Sequence, residues 1–474
     1  MAVPDLVVLG GGAAGLAVAR AAARQRLSVI LVEQADRLGG ERLRHGCVPA
    51  NALIYAARLA AQVRRAGEFG IDGGGARADL ATVMARCRDV AAELRRRDGE
   101  DSLRRDGVQV LFGEGRFLSP YEVEVKGQRL RARRFVIATG SRPALPTLEG
   151  LEHGTALTTD DLFNLTQTPE RLVVMGGGPA GVELGQALAR LGSRVTLLEP
   201  LPEILAREDP QLAAELRGLL VAQGMDVQVG TQVERLEPGS GPMRLICRRG
   251  EEFLPVEADA LLLAVGRRPN VESLELEAAG VEYDRLGVKV DSRMRTSRRH
   301  IYACGDCTGL YPSSAAAQQQ AAVVVRNVAG WGWPARLSDA ALPWVTRSDP
   351  ELARVGMTGQ QAHDAGLDAD VLDVPFNAVD RAVVLGETAG RARLVVSRGR
   401  ILGASILGPA AGELIHELVL AMNAGVSLER LGRVVQPYPA LGQVYRSAAA
   451  QAVERRRRTG PAQWLRRVVR GGKD

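Results

Sequence analysis

Cysteine is scarce in this chain, with five among 474 residues, and aromatics make up only 4%. That supply is too thin for a disulfide scaffold, so a reducing compartment, the cytoplasm, is the expected setting. The five histidines, His45, His153, His300, His363 and His416, show no ligand spacing, and no second Cys-x-x-Cys joins Cys304 and Cys307. No metal site is expected. No apolar run reaches the roughly 18 residues a membrane-spanning helix needs. The nearest stretch, Leu6 to Ala23, is broken by Gly10, Gly11, Gly12, Gly15 and Arg20, which also argues against a signal peptide. The 54 glycines have no triplet period, which excludes a collagen-like chain. Net charge is +6, yet Glu454 to Asp474 alone holds eight Arg or Lys against two acids and accounts for all of it. A neutral body with one basic tail is not a nucleic-acid surface.

Apolar residues, by contrast, make up 46% of the chain, and their order is informative. DLVVLGGGAAGLAVARAAARQRLSVILVEQ runs from an apolar strand through a glycine turn into an alanine-rich helix, then into a second strand ending at Glu33. This is a βαβ unit. Gly10, Gly12 and Gly15 give the GxGxxG spacing: a tight turn, close approach of a pyrophosphate, and helix packed against strand. The anion would sit on the helix N-terminus, where unpaired N–H groups and the dipole favour it. Glu33 stands where a carboxylate accepts from an adenosine ribose and repels a 2′-phosphate.

The pattern recurs in RLVVMGGGPAGVELGQALARLGSRVTLLEP, with Gly176, Gly178 and Gly181 in the turn and Glu199 closing the strand. Two units imply two dinucleotides. Glu199 with no arginine directly after it favours NADH over NADPH at the second. Between the units lie a helical stretch, about Ala50 to Arg105, and RFVIATGSRPALP, where Gly140 lets the backbone turn beside a ligand. LLLAVGRRPN, with Gly266, closes the second unit, and IYACGDCTG puts Asp306 after a strand. From about Leu342 to Ala450, strands alternate with amphipathic helices and no phosphate turn appears, which reads as an α+β domain suited to assembly.

The two fingerprints, ATG at 138–140, GRRPN at 266–270, GDCTG at 305–309 and the terminal domain together resemble the flavin-dependent pyridine nucleotide–disulfide oxidoreductases. VPANALI, DRAVVLGETAG, ILGASILGPAAGELI and QPYPALGQVYR look most like the mercuric reductase-like and dihydrolipoamide dehydrogenase-like branch. The resemblance implies an α/β fold with two Rossmann-like domains and a C-terminal α+β dimerisation domain. The expected ranges are 1–147 with 267–337 for FAD, 148–266 for NAD(P), 338–450 for the dimer interface and 451–474 for the basic tail. It also implies FAD on the first unit, NAD(P)H on the second, Asp306 at the ribityl and pyrophosphate region, hydride transfer to flavin N5, and a homodimer that completes the active site.

The departures bear on activity. The family's redox element has two cysteines separated by four residues and a lysine shortly after; this chain reads GGERLRHGCVPAN. Arg42 stands at the interchange cysteine, Cys47 at the flavin-side cysteine and Asn51 at the lysine. Tyr438 and Gln443 stand where disulfide-reducing members carry a histidine and a glutamate. With no interchange thiol there is nothing for that base to deprotonate, so the losses agree. Lipoamide, glutathione and thioredoxin are not expected substrates, nor is mercuric ion, since no cysteine follows Cys307 to form a metal-receiving pair. Cys304 and Cys307 read as packing residues, and Cys87 and Cys247 as core or surface residues of no chemical consequence, while His45, just before Gly46-Cys47, reads as an ordinary polar contact, with titration near the flavin as the alternative.

The expected protein is thus an FAD-dependent NAD(P)H oxidoreductase that passes electrons straight from flavin to a quinone-like or other small non-disulfide acceptor, with Cys47, Tyr438 and Gln443 at the site. The alternatives are an NADH oxidase or transhydrogenase, or a silent flavoprotein sensor. Trp464, Leu465, Val468 and Val469 fall at helical spacing among arginines in the tail, which reads as a solvated basic terminus, with peripheral membrane contact as the alternative. In the family the lysine pairs with a glutamate, here Glu183, near flavin N5, so its loss leaves Glu183 to protonate or to pair with Arg42. The same loss removes a cation that would stabilise reduced, anionic flavin. Potentiometric titration of Asn51→Lys should give a higher flavin midpoint potential than the native protein; a native value above that of the variant contradicts the reasoning.

Overall fold

The computed structural model describes residues 3–75, 77–151, 156–237, 242–330 and 332–459. His153 and the tail residues Trp464, Leu465, Val468 and Val469 lie outside them. The chain divides into two compact units, Met1–Pro200 with Gln228–Ser338, and Leu201–Val227 with Asp339–Asp474.

In the first unit, LVVL at Leu6–Leu9 is buried at every position, as a strand must be when helices and sheets cover both of its faces. It is central in a parallel five-stranded sheet ordered Ile301–Ala303, Arg134–Ile137, Leu6–Leu9, Val29–Glu33 and Val108–Phe112. The Ala13–Arg24 and Ser314–Ala329 helices cover one face, and their many alanines let them pack closely on each other and on Leu6, Val8 and Leu31. A three-stranded antiparallel sheet lies on the other, where Phe117 meets Phe135 edge to face at 5.4 Å. The second parallel sheet repeats the plan in the order Asp226–Val229, Arg194–Glu199, Arg171–Met175, Ala260–Leu263 and Ala156–Thr158. A short antiparallel pair, Ser141–Pro143 with Arg267–Pro269, brings the ATG and GRRPN segments side by side. The α/β class with two Rossmann-like units is as expected.

The second unit holds an antiparallel sheet ordered Pro343–Thr346, Glu351–Gly356, Arg400–Gly408, Arg391–Ser397 and Asp370–Pro375. Val444 and Tyr445, from the Gln443–Thr459 helix, join its core, and the Tyr445 hydroxyl donates to the Leu414 carbonyl. Two buried ion pairs brace this unit. Arg354 reaches Glu208 at 3.0 Å, and Arg393 reaches Asp209 at 2.6 Å. Asp209 also caps the Pro210–Ala222 helix, accepting from the N–H groups of Gln211 and Leu212.

With its side chain only 3% exposed, Asp209 cannot be removed without leaving Arg393 short of a buried partner. Asp209→Ala should lower unfolding free energy by about 3–5 kcal/mol in a urea titration. Asp209→Asn, which keeps an oxygen for the cap, should cost less.

Candidate active site

Two glycine turns build two anion sites. Gly10 has φ +106°, and a Cβ there would lie 2.4 Å from the Ala138 carbonyl oxygen; one on Gly15 would lie 1.8 Å from that of Gly10. Helix and strand therefore approach as only glycine allows. Gly12 caps the Ala13–Arg24 helix with no side-chain hydrogen bond and no acid in the first turn, which leaves its N–H groups without a side-chain cap. The second turn copies the first. Gly176 has φ +111°, a Cβ on Gly181 would lie 1.9 Å from the Gly176 oxygen, and Gly178 opens the Pro179–Arg190 helix without a side-chain cap. Both sites fit a pyrophosphate.

Glu33 and Glu199 are both buried. Glu33 accepts from the Gly11 N–H at 2.8 Å and the Ala35 N–H at 2.9 Å; Glu199 accepts from the Gly177 N–H at 2.6 Å. Each carboxylate thus fastens its own glycine turn, a role the sequence reading did not assign.

Around the flavin motif, Thr139 and Asn270 exchange two hydrogen bonds, at 2.6 and 3.0 Å, beside the left-handed Gly140 and Gly266. Ser141 donates to Asp306 Oδ2 at 2.8 Å. Cys304 and Cys307 are wholly buried, and burial pushes the Cys307 thiol up to about 12, so neither is a nucleophile. Burial raises Cys87 and Cys247 to about 11.

Cys47 begins the Cys47–Arg65 helix, is exposed, and has its sulfur 3.5 Å from the Ser314 hydroxyl. Asn51 turns back one helical turn and donates to the Cys47 carbonyl at 2.7 Å. Arg42 does not pair with Glu183. Its guanidinium meets Asp98 at 2.5 Å, and Arg20 meets the same carboxylate at 2.7 Å. Glu183 is half-buried on the Pro179–Arg190 helix, which packs against the Cys47–Arg65 helix.

His45 gains partners that the sequence did not reveal. Its Nδ1 lies 3.6 Å from Asp160 and 3.9 Å from Glu41, and Arg267 lies 3.3 Å from Glu41. Interaction with the Glu41 carboxylate raises the His45 pKa, while burial and then the Glu41 charge raise that of Asp160. Burial pushes Glu41 up, but His45 and Arg267 more than offset it and leave it below the ordinary value. Ligand atoms of Glu41, His45 and Asp160 lie within 4.8 Å of one another, yet Arg267 supplies the cation such a trio would otherwise take. The spacing of Glu41 and His45, one helical turn, was legible; Asp160 and Arg267 were not.

In the second unit Tyr438 is 81% exposed and Gln443 accepts from the Asp380 N–H at 3.3 Å. Asp380 also raises the Tyr438 hydroxyl pKa, so both side chains converge on one residue.

This chain belongs to the pyridine nucleotide-disulphide oxidoreductase family, which it matches over residues 4–321, with the family's dimerisation domain at 342–449. It is 36% identical over 458 residues to a dihydrolipoyl dehydrogenase of Thermus scotoductus, covering 94% of this chain and 96% of that one. It is 33% identical over 449 residues to a mercuric reductase of Lysinibacillus sphaericus, covering 94% and 82%. Among solved structures, the HOCl-induced flavoprotein disulfide reductase RclA from Escherichia coli aligns with a TM-score of 0.84 at 28% identity, over 94% of this chain and 99% of that one. Family members are oxidoreductases that use FAD and NAD(P)H.

The twin turns separate the two ligands experimentally. Overlap of the kind a methyl group would create costs about 1–3 kcal/mol or more, equivalent to about ten- to hundredfold in affinity. Gly15→Ala should weaken FAD retention by that factor, and Gly181→Ala should weaken NADH binding to the flavin-loaded protein instead, as read by absorbance and by calorimetry.

Proposed function

We propose that the protein passes electrons from NAD(P)H, through FAD, to a quinone-like or other non-disulfide acceptor. The observation that carries this reading is Arg42, whose guanidinium is tied to Asp98 where disulfide-reducing relatives need a second thiol. A guanidinium forms no disulfide, and all five cysteines are free. Tyr438 and Gln443 agree with it, because neither side chain titrates near neutral pH and so neither replaces a thiol-activating base.

Bound FAD supplies the two-electron chemistry that joins a nicotinamide to an acceptor. The chain supplies the rest. The uncapped N-termini after Gly12 and Gly178 hold the pyrophosphates, with Gly10, Gly15, Gly176 and Gly181 shaping the turns. Glu33 and Glu199 serve the riboses, and Glu199 selects NADH. Gly140, Gly266 and Asp306 admit and fix the flavin, and Glu183 lies at its nicotinamide side. Cys47 keeps a single sulfur at the flavin edge. Tyr438 and Gln443, presented by the terminal domain of a second copy, line the acceptor pocket; the match to the family's dimerisation domain supports that arrangement.

Anaerobic NADH oxidation by the flavin-loaded protein, with a soluble quinone as the sole acceptor and lipoamide as a parallel control, tests the reading. Turnover with quinone and none with lipoamide is expected, and Tyr438→Ala should alter KM for the quinone. Lipoamide turnover at a comparable rate would overturn it.

A further inference from the structure

Arg267 is the junction of a hydrogen-bonded and charged network that runs between two parts of the first unit. Its Nε donates to the Ser141 hydroxyl at 2.9 Å and its Nη2 to the Ser141 carbonyl at 2.9 Å. The same hydroxyl donates to Asp306 at 2.8 Å. On its other side, Nη1 lies 3.3 Å from Glu41 and 4.0 Å from Asp160. Glu41 belongs to the short helix that leads through Gly46 to Cys47. One guanidinium thus spans the carboxylate of the flavin motif and the turn that presents the sulfur.

The cluster around it is balanced by charge. Two half-buried carboxylates, Glu41 and Asp160, face Arg267 and His45, which is a second cation when its imidazole is protonated. Glu41 Oε1 and His45 Nδ1 are shielded from solvent yet make no hydrogen bond of good geometry, so charge rather than directed bonding holds them. Such an arrangement responds to the loss of one cation, because the carboxylates then repel each other and compete for Arg267.

We propose that Arg267 is a positioning residue that holds Asp306 and the Cys47 turn in register, and that the charge on His45 sets how firmly it does so. The inference rests on the reading of Asp306 as a flavin contact. Three charged groups act on His45: Glu41 and Arg44 from the helix that precedes it and Asp160 from the segment after Ala156–Thr158; Arg267, from the Arg267–Pro269 strand, meets the two carboxylates. Glu41 and Asp160 raise the histidine pKa and Arg44 opposes them, with a net upward shift. A raised folded-state value means that the network is complete below the ordinary value of 6.5 and is lost as pH rises through the folded value above it.

The test uses the flavin-loaded full chain. Visible absorbance and fluorescence of bound FAD, followed from about pH 5.5 to 9, should show an inflection above the ordinary histidine value of about 6.5. His45→Gln should remove it while FAD remains bound. Arg267→Gln should change the flavin spectrum at all these pH values and weaken FAD retention about tenfold, as expected for loss of charge-assisted hydrogen bonds. Arg267→Lys, which restores charge but not the fork, should recover part of that loss. An inflection that persists in His45→Gln, or a native protein without one, overturns the inference and leaves the flavin reading standing. Purified protein that binds no FAD overturns both.

Discussion

Everything else in the first unit depends on how closely a helix can approach the strand it follows. At Gly15 and again at Gly181 the separation leaves no room for a Cβ, so the first turn of each helix sits almost on the end of its strand. That approach aims uncapped N–H groups at one point above the sheet edge, and a pyrophosphate is the chemical group that satisfies them. The carboxylates at the ends of the second strands keep this geometry by binding the turn amides, Gly11 for Glu33 and Gly177 for Glu199. In the proposed reading, ligand selection and loop rigidity are one device, which a sequence pattern states as two separate features.

The changes around Cys47 gain sense once their partners are known. An arginine in place of a thiol brings a permanent charge into a half-buried turn, where an unpaired cation would be costly. Asp98, on the Leu80–Arg97 helix's C-terminal cap, absorbs that charge and shares it with Arg20. Asn51, in place of a lysine, finds the carbonyl of Cys47 within its own helix. Arg42 and Asn51 thus each have a polar partner, one across the fold and one within the helix.

The glycine turns, the acids at 33 and 199, the ATG and GRRPN segments and the alternation of the terminal domain were readable in the sequence, because each follows from local spacing. The partners of charged side chains were not. Nothing in the chain near Arg42 points to Asp98, which lies 56 residues away, and of the two alternatives for Glu183 the pairing with Arg42 fails because that guanidinium meets Asp98 instead. In the same way the turn from Glu41 to His45 was visible, but Asp160 and Arg267 reach it only through the packing of strands far apart in sequence. Asp209 caps the helix that follows it and is also a buried ion-pair partner of Arg393, 184 residues on.

A long-range ion pair escapes sequence reading for a physical reason: charge has no period, so its partner is chosen by geometry that only the fold supplies. Yet in the function proposed above such pairs carry the features that set this chain apart from a disulfide reductase. Arg42 with Asp98 removes a thiol without leaving an unpaired charge, and His45 and Arg267 with Glu41 and Asp160 place a titratable group near the turn that holds the remaining sulfur. Glycine spacing shapes the two turns, whereas charge pairing, chosen by the fold, surrounds the turn that leads to Cys47.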